Sequence, residues 1–308
     1  MQTFASLLQC PSYFWKILNF MKNKIVKTLA FALLLFVSIV TAHYLDLNDK
    51  LLFKLFHNDA HLIEKRGFIV KQKTINEIEK NLSGITYNNT TDTLFAITNS
   101  PRRIYELNKK GEVLRLIKLK GFKDTEDLTH IKDNLFAILD EGKSGFYIVH
   151  IDKNTQTIDI SQSQKEFSLD LRKFKNFGLE GISYDVKNDI FYLINERFPK
   201  KVVKVQGFFT NEVAKVEMEE KLMKSNFFLS DLSAIHYDEY RDKFYILSDE
   251  SRLLAKIDNE MNFEKYLDLD ISKQMKKMKN PEGFTKDKDG NLFIVGEPNI
   301  FLSFIIKP

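Results

Sequence analysis

The distribution of apolar residues changes character twice along this chain. From Thr28 to Leu45 the run TLAFALLLFVSIVTAHYL carries no formal charge. At roughly 1.5 Å of rise per residue it is long enough for a minimal transmembrane helix. Residues 46–66 follow, where Leu51, Leu52, Leu55, Phe56 and Leu62 recur at helical spacing and predict a membrane-proximal helix or linker. From about 67 onward the chain breaks into short apolar strands with alternating or continuous burial patterns, separated by polar turns.

These strands fall into five imperfect repeats. Each opens with a small or acidic pair before a short apolar strand, then a loop, then a strand containing Phe that ends on a polar or acidic residue. The five pairs are LSGITY (82–87) with LFAITNS (94–100), TEDLTH (125–130) with LFAILDE (135–141), LEGISY (179–184) with IFYLINE (190–196), LSAIHY (232–237) with KFYILSD (243–249), and PEGFTK (281–286) with LFIVGE (292–297). With Ser83, Glu126, Glu180, Ser233 and Glu282 as markers, the repeats step by 43, 54, 53 and 49 residues, the length of a four-stranded propeller blade. Two further strand candidates follow each of the first four pairs; in the second repeat they are GFYIVHID (145–152) and TIDISQ (157–162). The fifth repeat has one, IFLSFII (300–306), and is a strand short. The segment GFIVKQKTI (67–75) is expected to supply it, so that the two ends of the repeat region pair and leave no open edge. The expected fold is therefore all-β: a five-bladed β-propeller over 67–308, preceded by one transmembrane helix.

Charge sharpens the membrane reading. Lys16, Lys22, Lys24 and Lys27 precede Asp46 with no acid among them. They account for the whole net charge of +4 and leave the remainder formally neutral. A neutral globular part gives nucleic-acid binding no support. By the positive-inside rule residues 1–27 are cytoplasmic and the repeats lie outside. The alternative is a cleaved signal beginning at Met21, with Val40-Thr41-Ala42 as the cleavage site. The single cysteine, Cys10, lies before this segment, so the repeats cannot form a disulfide among themselves. The 27 Phe and 11 Tyr suit packed sheets.

Candidate chemistry lies at the repeat markers. Glu126-Asp127, Glu180-Gly181 and Glu282-Gly283 open inner strands, which line the channel of a propeller. The second strands end at Glu141, Glu196, Asp249 and Glu297. Antiparallel pairing puts both sets on one face of the disc. Converging carboxylates raise one another's pKa unless a cation sits among them, and a hard ion such as Ca²⁺ suits irregular oxygen donors. The alternative is that these groups cap turns or pair with Lys and Arg. Ser83 and Ser233 break the acidic pattern, so a site would draw mainly on the third and fifth repeats. His130 and His236 lie near the ends of inner strands, where a propeller enzyme can place a base; the alternative is that they pack or meet solvent, and the sequence offers no convincing base. No nucleophile elbow or phosphate loop accompanies them.

The runs NLSGITYNNTTDTLFAITNSP (81–101), GLEGISYDVKNDIFYLINER (178–197), LSDLSAIHYDEYRDKFYILSDES (229–251) and NPEGFTKDKDGNLFIVGEPN (280–299) resemble the SdiA-regulated family of bacterial proteins. The resemblance implies a five-bladed propeller, distantly similar to NHL-repeat propellers, behind an N-terminal membrane segment. It implies a bound calcium ion, with Glu180 and Glu282 as leading contributors and Glu126, Glu196 and Glu297 next. It also implies a place on the bacterial inner membrane with the propeller facing the periplasm. There the module would bind an unknown ligand or envelope protein; the alternative is a Ca²⁺-dependent lactonase, esterase or phosphatase using the channel-mouth carboxylates.

Overall fold

The fold is described from a computed structural model, over residues 24–44, 61–62, 67–169, 178–196, 200–220, 229–258, 262–269 and 278–307. The chain divides into two units, Met1–Leu51 and Leu52–Pro308. In the first, α1 (Lys24–Tyr44) covers most of the charge-free run. Its large side chains from Leu29 to Val40 are exposed, Phe31 at 69% and Phe36 at 65%. Among the described residues no helix is long and apolar enough to cross a membrane.

The second unit is a ring of five sheets, antiparallel apart from one short parallel edge strand on each of two. Two strands precede the repeats, β1 (His61–Leu62) and β2 (Phe68–Thr74). Blade 1 follows with β3 (Leu82–Asn88), β4 (Thr93–Thr98), β5 (Arg103–Leu107) and β6 (Val113–Lys120). The next strands are β7 (Thr125–Lys132), β8 (Leu135–Asp140), β9 (Gly145–His150), β10 (Thr157–Asp159) and β11 (Lys165–Ser168). Blade 3 has β12 (Leu179–Asp185), β13 (Ile190–Asn195), β14 (Lys201–Gln206) and β15 (Lys215–Met218). Blade 4 has β16 (Ala234–Asp238), β17 (Lys243–Ser248), β18 (Leu253–Ile257) and β19 (Phe263–Asp268). Blade 5 has β20 (Asn280–Lys286), β21 (Leu292–Glu297) and β22 (Ile300–Ile306). Its outer strand is β2, in full antiparallel register from Phe68 opposite Ile306 to Thr74 opposite Ile300. Closure by the segment before the first repeat is thus observed.

One expectation fails at a blade edge. The segment 157–162 does not complete blade 2. Its first three residues, β10, pair in parallel with β6 of blade 1, and Ile160–Gln162 turn into a 3₁₀ helix. Blade 2 is completed instead by β11, paired with β9. The reason is packing. Ile158 is buried in the core between blades 1 and 2, while Phe167 stacks on Phe146 at 5.2 Å. The helix expected over 46–66 lies outside the described residues except at His61–Leu62. Those two residues are a strand, parallel to β19 of blade 4.

Five apolar clusters hold the ring, one at each junction between neighbouring blades. The Phe repeated in every second strand explains much of the aromatic content. Phe95 meets Phe136 across the first junction at 4.8 Å, and Phe191 meets Phe146 across the second at 4.3 Å. Each such pair contributes about 1 kcal/mol beyond burial. On the channel side the inner strands approach closely. A Cβ on Gly84 would lie 2.7 Å from the Asp127 Cα, and one on Gly283 would lie 2.9 Å from the Gly84 Cα. Only glycine fits at these two crossings.

Candidate metal centre at the acidic mouth

Four inner strands carry a β-bulge at the repeat marker. Pairing skips between Leu82 and Gly84, Thr125 and Leu128, Leu179 and Gly181, and Pro281 and Gly283. The skipped residues include Ser83, Glu126, Glu180 and Glu282. A bulge leaves one residue outside the ladder and re-aims its side chain, here toward the mouth of the channel. The second strands end at the same level, since Leu179 pairs with Asn195 and Asn280 with Glu297. Glu141 and Glu196 thereby join the set.

The five glutamates expected at the site are brought together. The charges acting most on Glu180 are Glu126, Glu196, Glu141 and Glu282. Those acting on Glu282 are Asp249, Glu196, Glu297 and Asp231. Burial first, and then these carboxylates, push Glu180 up to about 9 and Glu282 to about 8. Burial also lifts Glu126 to about 8, against an opposing hydrogen bond from Asn99 Nδ2 to its Oε1 at 3.3 Å. Asp124, Glu126 and Glu141 each place a carboxylate oxygen within 4.8 Å of the others. A Cβ on Gly178 would sit 2.8 Å from the Glu141 Oε1 and 3.6 Å from the Glu180 Oε1, so the two carboxylates flank that residue.

Two carboxylates here were not anticipated, Asp124 and Asp231. Each stands two residues before a marker, a position held by Asn81 and Asn280 in the first and fifth repeats; that recurrence was the available signal. Asp231 is buried and accepts from the Ser248 hydroxyl and from the Asp249 and Glu250 amides. Burial still lifts it to about 7, and Asp249 likewise. Asp127, next to Glu126, has a different task. Its Oδ1 accepts from the Leu128 amide at 2.8 Å and its Oδ2 from the Ile182 amide at 2.9 Å, which ties blade 2 to blade 3.

The donor set fits a hard divalent cation. It offers carboxylate oxygens from three inner strands and two second-strand ends, at uneven spacing, with charge in excess of its partners. Neither Glu180 nor Glu282 has a hydrogen-bond donor among the described residues. His130 and His236 are not beside these groups. Both line the opposite end of the channel, with Tyr184 and Tyr237.

A closed ring of five radial sheets around a polar channel is a five-bladed β-propeller, and this one gathers carboxylates at one mouth. The chain belongs to the SdiA-regulated family, whose model matches residues 58–305. Among solved structures it is similar to the glutaminyl cyclase of Myxococcus xanthus, with a TM-score of 0.52 and 10% identity over 78% of this chain and 98% of that one. It is also similar to a chain of a nidogen/laminin complex, with a TM-score of 0.47 and 11% identity over 75% and 82% of the two chains. A streptogramin B lyase gives 0.44 and 9% over 78% and 98%. At 10% identity the likeness to the glutaminyl cyclase is one of fold alone.

Proposed function

We propose that this protein is a membrane-anchored, extracytoplasmic propeller that binds Ca²⁺ at its acidic mouth and uses that face to hold a ligand or an envelope protein. The convergence of Glu126, Glu180 and Glu282 on three inner-strand bulges carries the calcium reading. In the absence of a cation these groups are buried against one another, and protonation relieves that cost. A divalent ion relieves it while leaving them ionised. Glu126, Glu180 and Glu282 would hold the ion, with Glu196 and Glu297 beside them. The ion would order the mouth and present a positive centre to an oxygen-bearing partner. A hydrolase needs a base next to the ion, and the two candidate histidines lie at the other end of the channel. The binding reading is therefore preferred.

The anchor reading is supported by the exposed apolar surface of α1 and by the lysines before it. The orientation is testable through Cys10, the only cysteine. An impermeant maleimide added to intact spheroplasts should leave Cys10 unlabelled, whereas added protease should cleave the propeller; labelling of Cys10 without permeabilisation would reverse the orientation. For calcium, EDTA-treated full-length protein in detergent should release or absorb heat on titration with CaCl₂ and melt at a higher temperature. Glu180→Gln or Glu282→Gln should weaken binding at least about tenfold, since each removes a charge at nearly constant shape. Wild type with neither heat nor thermal shift would refute the site.

A further inference from the structure

The junction between blades 1 and 2 carries a groove that shares no residue with the acidic mouth. Two adjoining spaces of about 470 and 520 Å³ have Arg115, Lys153 and Asn154 as common walls, so they form one groove. Each space is in the size range of ligand sites. One wall is β6, through Leu114, Arg115, Leu116 and Lys118; the other is the turn from Ile151 to Thr157. Phe95 lies beneath, with the Arg115 guanidinium 6.0 Å from its ring centre.

The groove is locally cationic in a region that is neutral as a whole. Residues 102–123 carry eight Lys and Arg against two acids, Glu106 and Glu112. The two acids that line the groove are already engaged by the protein. Glu106 accepts from Arg115 Nε and from the Thr93 hydroxyl at 2.8 Å. Asp152 Oδ1 accepts from the Asn154 amide at 2.8 Å and the Thr155 hydroxyl at 3.0 Å. Arg115 is also fixed by the Asp152 and Thr155 carbonyls, which take its Nη1 protons at 2.6 and 3.1 Å. Its Nη2 makes no bond to a described residue. Lys118 and Lys153 are exposed, and neither forms an ion pair among the described residues.

The same wall offers an open sheet edge. β10 covers only Lys118–Lys120 of β6, and no described strand pairs with 113–117 on that side. Lys118 donates its N–H outward, to the Gln156 carbonyl at 2.9 Å. Along a strand every second residue turns its N–H and C=O to the same side, so Leu116 presents its own outward too. We propose that this groove binds an extended acidic peptide segment of a partner protein, paired with β6 at Leu116 and with its carboxylates on Arg115, Lys118 and Lys153. The open stretch of β6 is about 16 Å long at about 3.3 Å per residue, which sets an occupant of about five residues. Backbone pairing supplies affinity and the side chains supply selection. Lysines on a sheet edge ordinarily keep other strands away; here they discriminate for one that brings acids. Leu114, 53% exposed, offers the apolar contact between those charges.

The test uses full-length protein in detergent with EDTA, so that no metal can bridge to the probe. The probe is an end-blocked Glu-Val-Glu-Val-Glu-Val peptide carrying a neutral dye; in a strand its acids fall on one face. Its fluorescence anisotropy should rise saturably with protein, and a Lys-Val counterpart should not bind. Lys118→Glu combined with Lys153→Glu should weaken binding at least about tenfold at unchanged melting temperature; if that variant does not fold, Lys153→Glu alone serves in its place. A probe N-methylated at every amide cannot pair with an edge and should compete at least about tenfold less well. No saturable rise, or one that the charge reversal leaves unchanged, overturns the site. Equal competition by the N-methylated probe, or binding of phosphatidylglycerol vesicles without binding of the peptide, overturns the partner class. Glu180→Gln should leave peptide binding unchanged, so failure here and failure of the calcium reading are separate results.

Discussion

The two ends of one channel treat the same residue type in opposite ways. At the acidic mouth, Glu126, Glu180 and Glu282 hold protons far above the usual carboxylate range because burial and other carboxylates surround them. At the hairpin end, carboxylates come with partners. Asp238 is lowered despite its burial, by Lys286 and, further off, His236 and Arg241. Asp92 is lowered by hydrogen bonds from Lys109 and the Tyr87 hydroxyl. Asn88, Asp185 and Asp287 accept amides of their own turns. Burial therefore does not decide whether a carboxylate is a structural brace or a waiting ligand. The sign of the neighbouring charges weighs more: Asp231 accepts three hydrogen bonds and is still lifted among carboxylates, whereas Asp238 is lowered beside Lys286.

The comparison can be broken most completely by opening the ring, because both mouths rest on its closure. Deleting 68–74 strips β22 of its outer partner and should abolish the cooperative melting transition altogether. A soluble deletion variant with an unchanged melting temperature would contradict closure as the common foundation. Next in size, Lys286→Met removes the counter-charge of Asp238 in a pair whose side chains are 5% and 2% exposed. It should cost about 3 kcal/mol in urea unfolding, and a change near zero would mean that Asp238 needs no partner.

The acidic mouth should respond in the opposite sense. In EDTA, Glu282→Gln should stabilise the protein by roughly 1–2 kcal/mol, because it removes a charge that folding forces upward in pKa. In CaCl₂ the same variant should be the less stable one. Destabilisation in EDTA would show that Glu282 is already satisfied.

The pH profile separates the two ends again, with a smaller effect. Acidic-mouth carboxyls titrate near 4 when unfolded and at about 8 to 9 when folded. Between those limits the folded state holds more protons, so metal-free stability should fall as pH rises from about 5 to 9. Calcium should flatten that slope. Asp92 and Asp238 have lowered folded values. Their contribution is present above the unfolded pKa near 4 and is lost as pH falls through the folded values, at the acid end only. Melting curves across pH with EDTA or CaCl₂ check both signs. Smallest of all, Asn89→Ala should change stability by less than about 0.5 kcal/mol, since its bonds are long and exposed.

Much of this architecture was legible in the chain, for reasons that are local. Strands such as LFAIL and IFYLI carry burial on both faces in their own sequence, and the marker spacing counts the blades. The missing strand of the fifth repeat pointed to 67–75, because an open edge is costly wherever it occurs. The aligned glutamates pointed to one mouth, because antiparallel hairpins bring one strand's start beside the next strand's end. What remained hidden was non-local. Nothing in TIDISQ says that it joins the blade before its own, since Ile158 is placed by its pairing with Leu119 of β6, far away in the chain. Nor does the alternation of glutamates and serines at the markers show that a bulge, and not a regular pair, presents them. The amino-acid sequence by itself determined the repeat, the blade count and the level at which acids gather. Tertiary structure alone decided which carboxylates are left without donors, because desolvation and hydrogen-bond satisfaction depend on neighbours that come from other blades.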